Sequence, residues 1–484
     1  MKYIFYISFT LLAIGSKAQI SFQKTFGSHQ YEYAEEIIQL YDTGYATIGS
    51  SSLSGSSSDV YLLRIDSLGN YLWSKTYGGN QSDNGESIIE TTDSGFVIAG
   101  HTNSFGAGGF DAYLIKTDKD GNLEWQKTYG GSDWDFAHSV ILMPDGGYVI
   151  AGETYSSGLG NNDAYIIRTD SLGNSLWQRT FGTAQEDKVN DIFLAQDGFL
   201  YATGTTNGKG SGTNDAYVLK LDLSGNLIWE KSFGSLGDDQ TFALSQHKIN
   251  NLLVLFGYTN GSGAGGYDYL YVTTNYAGDS LGFNTKGTAE DDFGYDIAYK
   301  NAVPNAFWSV GASVNTGSLL KDYHYFYVTT YGTYISSNTY GWIGDEIAKS
   351  ISDCNDESFI MAGHTVDLGN GGTDIFLVKL YPNLTVDPNI TQELDITSSS
   401  GIEKEFSLDL YPNPCADFLE LNFNSHENVG ISLFDLKGKE VFNRKNIASG
   451  DKINISNIAK GAYIARVFLI KNQSVNYSVK IFKY

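Results

Sequence analysis

The chain has 484 residues, among them 55 Gly, 34 Tyr, 27 Phe and only 3 Met, and a formal net charge of −24. That length suits two or three domains, and this balance of glycine and aromatics favours strands and tight turns over helices. The charge is uneven: residues 401–484 carry 11 Lys/Arg against 9 Asp/Glu, so the first 400 residues hold a net −26. Such a body repels nucleic acid and anionic membrane and so disfavours both as partners, while divalent cations, neutral glycans and basic proteins stay open. Cys354 and Cys415 fall in different predicted domains and are not expected to pair, so disulfides are not the stabilising device.

Residues 1–18 read as a secretory signal peptide. Lys2 supplies the positive start, Ile4 to Gly15 the apolar run, and Ser16-Lys17-Ala18 the small residues before a cleavage at Gln19. The run is about 12 residues, short of the roughly 20 that a membrane span needs. No Cys follows the cleavage point to take a lipid, and no later segment is apolar enough to cross a membrane. The sequence therefore predicts a soluble, exported chain.

Residues 20–381 repeat. Asp59, Asp111, Asp163 and Asp215 head four segments spaced 52 residues apart, and Trp73, Trp125, Trp177 and Trp229 keep the same spacing. A fixed period near 50 with strand-like content signals radial or stacked repetition. The third repeat shows the unit: strands at Phe136–Met143, Tyr148–Gly152, Ala164–Thr169 and Leu176–Phe181, joined by turns rich in Gly, Asn and Asp. Four antiparallel strands in about 50 residues make a propeller blade.

A Lys-Thr-Tyr-Gly-like segment recurs seven times, at Lys24, Lys75, Lys127, Arg179, Lys231, Asn284 and Asn338. The ends are complementary, since Phe22–Gly27 is a fourth strand with no third before it, and Asp374–Leu380 a third with no fourth after it. Pairing them completes a seventh blade, closes the ring and removes its exposed edges. The predicted fold is all-β: a seven-bladed propeller followed by a small Ig-like sandwich. The fifth and sixth repeats lack the Trp, and in the sixth His324 aligns with the leading Asp while Asp322 stands two residues earlier.

Two acidic positions recur. Glu32, Asp83, Asp135, Asp187, Asp239, Asp292 and Asp345 stand at the start of the first strand, and Asp59, Asp111, Asp163, Asp215, Asp268 and Asp374 at the start of the third. These strands run the same way, so both sets share one face. One reading is an acidic rim for calcium or a basic partner. The other is architectural: each carboxylate accepts backbone N–H bonds in the loops. Uniformity favours the second, because a site is usually asymmetric. No cofactor is predicted, and calcium is the ion the pattern leaves open.

Positions where the repeat varies point to function better. Three residues after the ring carboxylate stand Glu35, Glu86, His138, Asn190, Phe242, Tyr295 and Ala348; just before it stand Tyr31, Ser82, Trp134, Glu186, Asp238, Asp291 and Gly344. Tyr31, Trp134 and His138, with His101 and His364, form a candidate aromatic and polar platform for a sugar or peptide. Ordinary loop variability is the competing account. No zinc-ligand spacing, nucleophile elbow or phosphate loop occurs, so neither a metal site nor a catalytic set is predicted.

Residues 382–405 have a linker composition, and alternating short strands over 406–484 imply a small β-sandwich. The segment carries Tyr411-Pro412-Asn413-Pro414, a Leu433–Val441 strand pair, Gly461-Ala-Tyr463, and a final strand with Lys480 and Lys483. In that order these motifs closely resemble the type A C-terminal sorting domain of proteins exported by the type IX secretion system of Bacteroidetes. The resemblance implies a partnership with that machinery and passage through both membranes. It also implies release or attachment to surface lipopolysaccharide. The repeats resemble those of other secreted bacterial propellers. The resulting reading is a monomeric, secreted or surface-bound binding or adhesion protein with an unassigned glycan or protein ligand. The alternative is a propeller hydrolase or lyase acting on polysaccharide or peptide.

Overall fold

The computed structural model describes residues 22–28, 30–52, 57–300, 306–314, 320–340, 344–366, 368, 372–381, 408–411, 415, 417–423, 429–435, 439–469 and 475–483. The expected signal peptide (1–18), the linker (382–405) and Pro412–Pro414 lie outside them.

Seven four-stranded antiparallel sheets follow one another along the chain. Blades 1 to 6 run Glu32–Tyr77, Asp83–Tyr129, Asp135–Phe181, Asp187–Phe233, Asp239–Lys286 and Asp292–Tyr340. Blade 7 takes three strands from Glu346–Leu380 and its outer strand from Phe22–Phe26. The first strand of each blade packs against the first strand of the next, and Glu346–Asp353 packs against Glu32–Gln39, so the ring closes around a central channel.

Burial grades outward in the way the residue pattern dictates. The third strands, such as Asp163–Thr169, have an apolar centre and are buried at every position between neighbouring blades. First strands alternate, for example in Asp135–Leu142, where buried and half-buried residues take turns along the first four positions because one face looks into the channel. Fourth strands such as Ser175–Phe181 are half-exposed at the perimeter. In blades 1 to 4 the turn before the outer strand is set by Asp66, Asp118, Asp170 or Asp222, and in blade 5 by Asn275: Asp170 Oδ1 accepts from the N–H of Leu172 (2.9 Å) and Asn174 (2.8 Å), and Gly173 takes the left-handed φ of 73°.

The closure repeats the register of the intact blades. Phe26 pairs with Ile375 and Phe22 with Lys379, as Phe181 pairs with Ala164 and Trp177 with Arg168. Phe22 thus occupies the tryptophan position. A side chain on Gly69 of blade 1 would collide with the Phe22 ring, as one on Gly121 or Gly173 would with Trp73 or Trp125. In blades 5 and 6 the position belongs to Gly282 and Ser336, paired with Thr273 and Tyr327. In the sixth repeat Asp322 faces Ser313 as Asp163 faces Thr154, so Asp322, not His324, is the leading carboxylate.

A second repeated device ties the lower hairpins. Arg64, Lys116, Arg168, Lys220 and Lys379 are buried on third strands, and each reaches the Asp of its own blade's first turn: Asp42, Asp93, Asp145, Asp197 and Asp356, at 2.5–3.0 Å. Charge-assisted bonds compensate the buried cations.

The C-terminal strands form a three-stranded sheet (Leu408–Tyr411, Phe418–Phe423, Asp451–Asn454) and a four-stranded one (Val429–Asp435, Glu440–Ile447, Gly461–Leu469, Val475–Lys483). Leu419, Leu421, Ile431, Leu433, Ile453 and Val467 fill a common core.

A candidate binding site at the channel mouth

Every first strand contains a β-bulge at the same place. The register slips between Ala34 and Glu36, Gly85 and Ser87, Ala137 and Ser139, Val189 and Asp191, Thr241 and Ala243, Gly294 and Asp296, and Ala348 and Ser350. The extra residue leaves the ladder and its side chain is re-aimed. The seven extras are Glu35, Glu86, His138, Asn190, Phe242, Tyr295 and Lys349. The seventh corrects the sequence alignment. The ring carboxylate of blade 7 is Glu346, which opens its strand, is fully buried and accepts from Thr365 Oγ1 at 3.0 Å. Asp345 is the residue before it, so Lys349 replaces Ala348 and Asp345 replaces Gly344 in the two variable sets.

Four of the bulge residues form a chain of contacts around the channel, and the other three reach residues of neighbouring strands. Lys349 Nζ lies 3.4 Å from Glu35 Oε2 and 4.7 Å from the centre of the Tyr295 ring. Tyr295 meets Phe242 edge-on at 6.0 Å. Asn190 Nδ2 donates to Thr241 O at 2.8 Å. His138 Nε2 lies 3.5 Å from Glu153 Oε1, and Glu86 Oε1 lies 3.6 Å from His101 Nδ1. Side chains of Glu35, Lys349, Glu86 and His138 keep 27, 27, 25 and 23% of their surface open, so they line water rather than fill a core. Burial, then the neighbouring Glu35, pushes the Glu86 carboxyl up, and His138 and Lys349 pull it back. Glu35 foremost holds the Lys349 ammonium above its ordinary range.

The platform residues separate into those at the mouth and those beneath it. Trp134 (51% exposed) and Tyr31 (55%) stand on the rim. Trp134 contacts Tyr155 and Phe136, and Phe136 stacks on His138, so an aromatic path leads from rim to bulge ring. Across the channel a second cluster joins Phe242, Tyr258, Tyr267, Phe293 and Tyr295. His101 is buried against Phe110 and Phe136, and burial lowers it to about 3, leaving a neutral ring. His364 packs edge-on to Tyr33, and burial with Lys349 nearby lowers it to about 4. Both support the mouth from behind.

The uniform carboxylates are engaged by the loops. Asp83 and Asp135 accept the N–H of Gly79 and Gly131 at 2.8 Å, and Asp187, Asp239 and Asp292 accept those of Thr183, Ser235 and Thr288 at 2.6 Å. In the second set Asp163 takes the N–H of Leu159 (2.8 Å) and Gly160 (2.9 Å), and Asp268 that of Ala264 (3.0 Å). The two sets meet at one glycine: a Cβ on Gly182 would fall 2.3 Å from Asp163 and 2.8 Å from Asp187.

Immediately below the bulges runs a hoop that the sequence reading missed. The N–H groups of Ile37, Ile88, Val140, Ile192, Leu244 and Ile351 each donate to a side chain of the preceding blade: Ser350, Glu36, Ser87, Ser139, Asp191 and Asp296, at 2.6–3.3 Å. The hoop breaks at Ala243, where Ile297 N–H turns to its own neighbour Asp296. Burial pushes Glu36 up to about 8 and Asp191 to about 6. A cavity of about 460 Å³ below the hoop, lined by Glu36, Ile38, Ile88, Val140, Leu142 and Asp191, forms the opposite mouth.

In the C-terminal module Tyr463 and Lys483 of the motif set are buried. The Lys483 ammonium donates to the carbonyls of Ile455 (2.7 Å), Ser456 (2.9 Å) and Ile458 (2.8 Å). Tyr463 donates to Ala459 O at 2.8 Å. Tyr411 pairs with Glu420, Lys480 with Ile464 and Gly461 with Lys483 in the sheets.

Residues 409–483 match the family model of the secretion system C-terminal sorting domain. The Regulatory protein FlaEY of Caulobacter vibrioides is 26% identical over 187 residues, 33% of this chain, which spans 20% of that protein's length. Among solved structures, the Neurospora crassa Pan2 WD40 domain aligns with a TM-score of 0.46 at 9% identity, over 73% of this chain and 90% of that one. The extracellular domain of the putative one-component system BT4673 from B. thetaiotaomicron aligns at 0.42 and 10%, over 95% and 57% respectively. The C-terminal domain marks the chain for export by type IX secretion to the cell surface or the extracellular space. No helix among the described residues is long and apolar enough to cross a membrane.

Proposed function

We propose that this exported chain is a non-enzymatic extracellular binding protein, and that the upper mouth of the propeller channel receives its ligand. The observation that carries the reading is the bulge ring. At seven equivalent positions the fold re-aims one side chain into the channel, and there the repeat becomes irregular: two Glu, a His, an Asn, a Phe, a Tyr and a Lys. Uniform positions on the same strands serve the scaffold. A concave site with a few convergent polar groups and aromatic walls is what small-ligand recognition requires.

The test is a glycan and peptide array probed with the full-length protein, the wild type beside Trp134→Ala and Lys349→Met. Binding in the wild type that falls at least about tenfold in both variants, a change of about 1.4 kcal/mol, supports the reading. A ligand whose affinity neither variant alters contradicts it.

The second reading is a hydrolase or lyase at the same ring. The Glu86 carboxyl, pushed up by burial and then by the neighbouring Glu35, with His138 nearby, favours it. Turnover of an array ligand that is abolished in Glu86→Gln while binding persists would establish it.

A further inference from the structure

Building on the binding reading, we infer that the ligand is a neutral, hydroxyl-rich oligosaccharide, with one sugar unit seated inside the bulge ring. The ring divides into two arcs. Lys349, Glu35, Glu86, His138 and Asn190 come from five consecutive blades, 7 to 4, and form a polar arc. Phe242 and Tyr295, backed by Tyr258 and Phe293, form an apolar arc across blades 5 and 6. A pyranose has matching halves. Its axial C–H faces pack on aromatic walls, and its hydroxyls both donate and accept. The polar arc offers both functions, with acceptors at Glu35 and Glu86 and a donor at Lys349.

The charge of the ligand follows from what already occupies the site. Lys349 sits over Tyr295 (4.7 Å), Lys321 over Phe293 (5.0 Å) and Lys188 over Phe242 (5.9 Å). The cation positions on the apolar arc are therefore filled by the chain itself, and an ammonium or guanidinium would have to displace a lysine. A polyanion meets the −26 carried by the first 400 residues. A neutral polyol avoids both costs.

The polar side chains are also held in advance, Lys349 by Glu35 and His138 by Glu153, which lowers the ordering cost of binding. Tyr155 (39% exposed) and Trp134 (51%) extend the aromatic path outward and provide a place for a second sugar unit on the rim.

The experiment is isothermal titration of the full-length protein with neutral glucan, mannan and galactan oligosaccharides, a uronate oligosaccharide, and an Arg/Lys-rich peptide. Each titration is run at salt on the order of 0.05 and 0.5 M, either side of the physiological screening regime. The inference predicts binding to a neutral oligosaccharide whose Kd changes less than about twofold with salt, because no charge is neutralised on binding. It also predicts a weakening of at least about tenfold in Trp134→Ala, an exposed position, and in Lys349→Met, with thermal melts reporting that both variants fold. Binding confined to the peptide or the uronate, lost at high salt and sensitive to the same variants, overturns the ligand class and leaves the mouth as the site. Neutral-sugar binding that neither variant alters overturns the site as well. The absence of binding to every neutral sugar overturns the inference.

Discussion

Seven side chains owe their position to one extra residue in each inner strand, and in six of the seven the residue after the extra one closes the hoop between blades. Glu36 shows the energetic consequence. Its carboxylate accepts the Ile88 N–H at 2.6 Å in a site where burial raises it to about 8, well above the ordinary value of 4.5. The native state therefore holds a proton that the unfolded chain has already released between about pH 4.5 and 8. Stability from this group is fully present below the lower value and is lost as pH rises through the upper one. Asp191, raised to about 6, acts in the same direction over a lower window. The melting temperature should accordingly fall as pH rises from 5 to 9, and Glu36→Gln, which keeps an acceptor for Ile88, should flatten the upper part of that decline. A pH series of thermal melts in which the variant and wild type stay parallel would contradict this assignment. None of this was legible in the sequence. A bulge is a break in hydrogen-bond register, and nothing in Ala-Glu-Glu or Ala-His-Ser announces which residue leaves the ladder. Choosing Asp345 over Glu346 moved the seventh alignment by one residue, enough to hide Lys349 behind Ala348.

Among the elements, the closing strand bears most directly on integrity. Phe22 substitutes for the blade tryptophan, buries its ring against Gly69 and Tyr45, and is one of the residues by which the last blade meets the first. Phe22→Ala should cost about 3–5 kcal/mol, the range for emptying a buried phenylalanine site. By contrast, Asp145→Ala leaves Arg168 with its bonds to the Tyr148 and Thr169 carbonyls, and should cost only about 1–3 kcal/mol for the lost charged partner. Denaturant melts that rank these two variants in the opposite order would refute the closure account. The complementary ends, Phe22–Gly27 and Asp374–Leu380, were readable because strand alternation and the 52-residue period both survive there. The basic–acidic pairs were equally periodic, with Arg64, Lys116, Arg168 and Lys220 at the same spacing as Asp59 to Asp215. They were missed because a lone charge inside an apolar strand looks incidental until its partner one hairpin away is seen.

For the molecule as a whole, repetition supplies the scaffold and irregularity marks the proposed site. The acidic first 400 residues, the closed ring and the export domain accord with a protein of the cell surface or extracellular space, and the proposal places its ligand at one end of the channel. Two mouths are available: the upper one, ringed by Glu35, Glu86, His138 and Lys349, and the lower one, the cavity between Glu36 and Asp191. The upper mouth has the varied, partly open polar groups. The lower has carboxylates already committed to the hoop. A crystal structure of the full-length protein with its best array ligand decides between them most directly. Ligand density within hydrogen-bonding distance of Glu35, Glu86 or Lys349, and against Trp134 or Phe136, is the result predicted. Density confined to the lower cavity beside Glu36, Ile88 and Asp191, with the bulge ring unoccupied, would contradict the account.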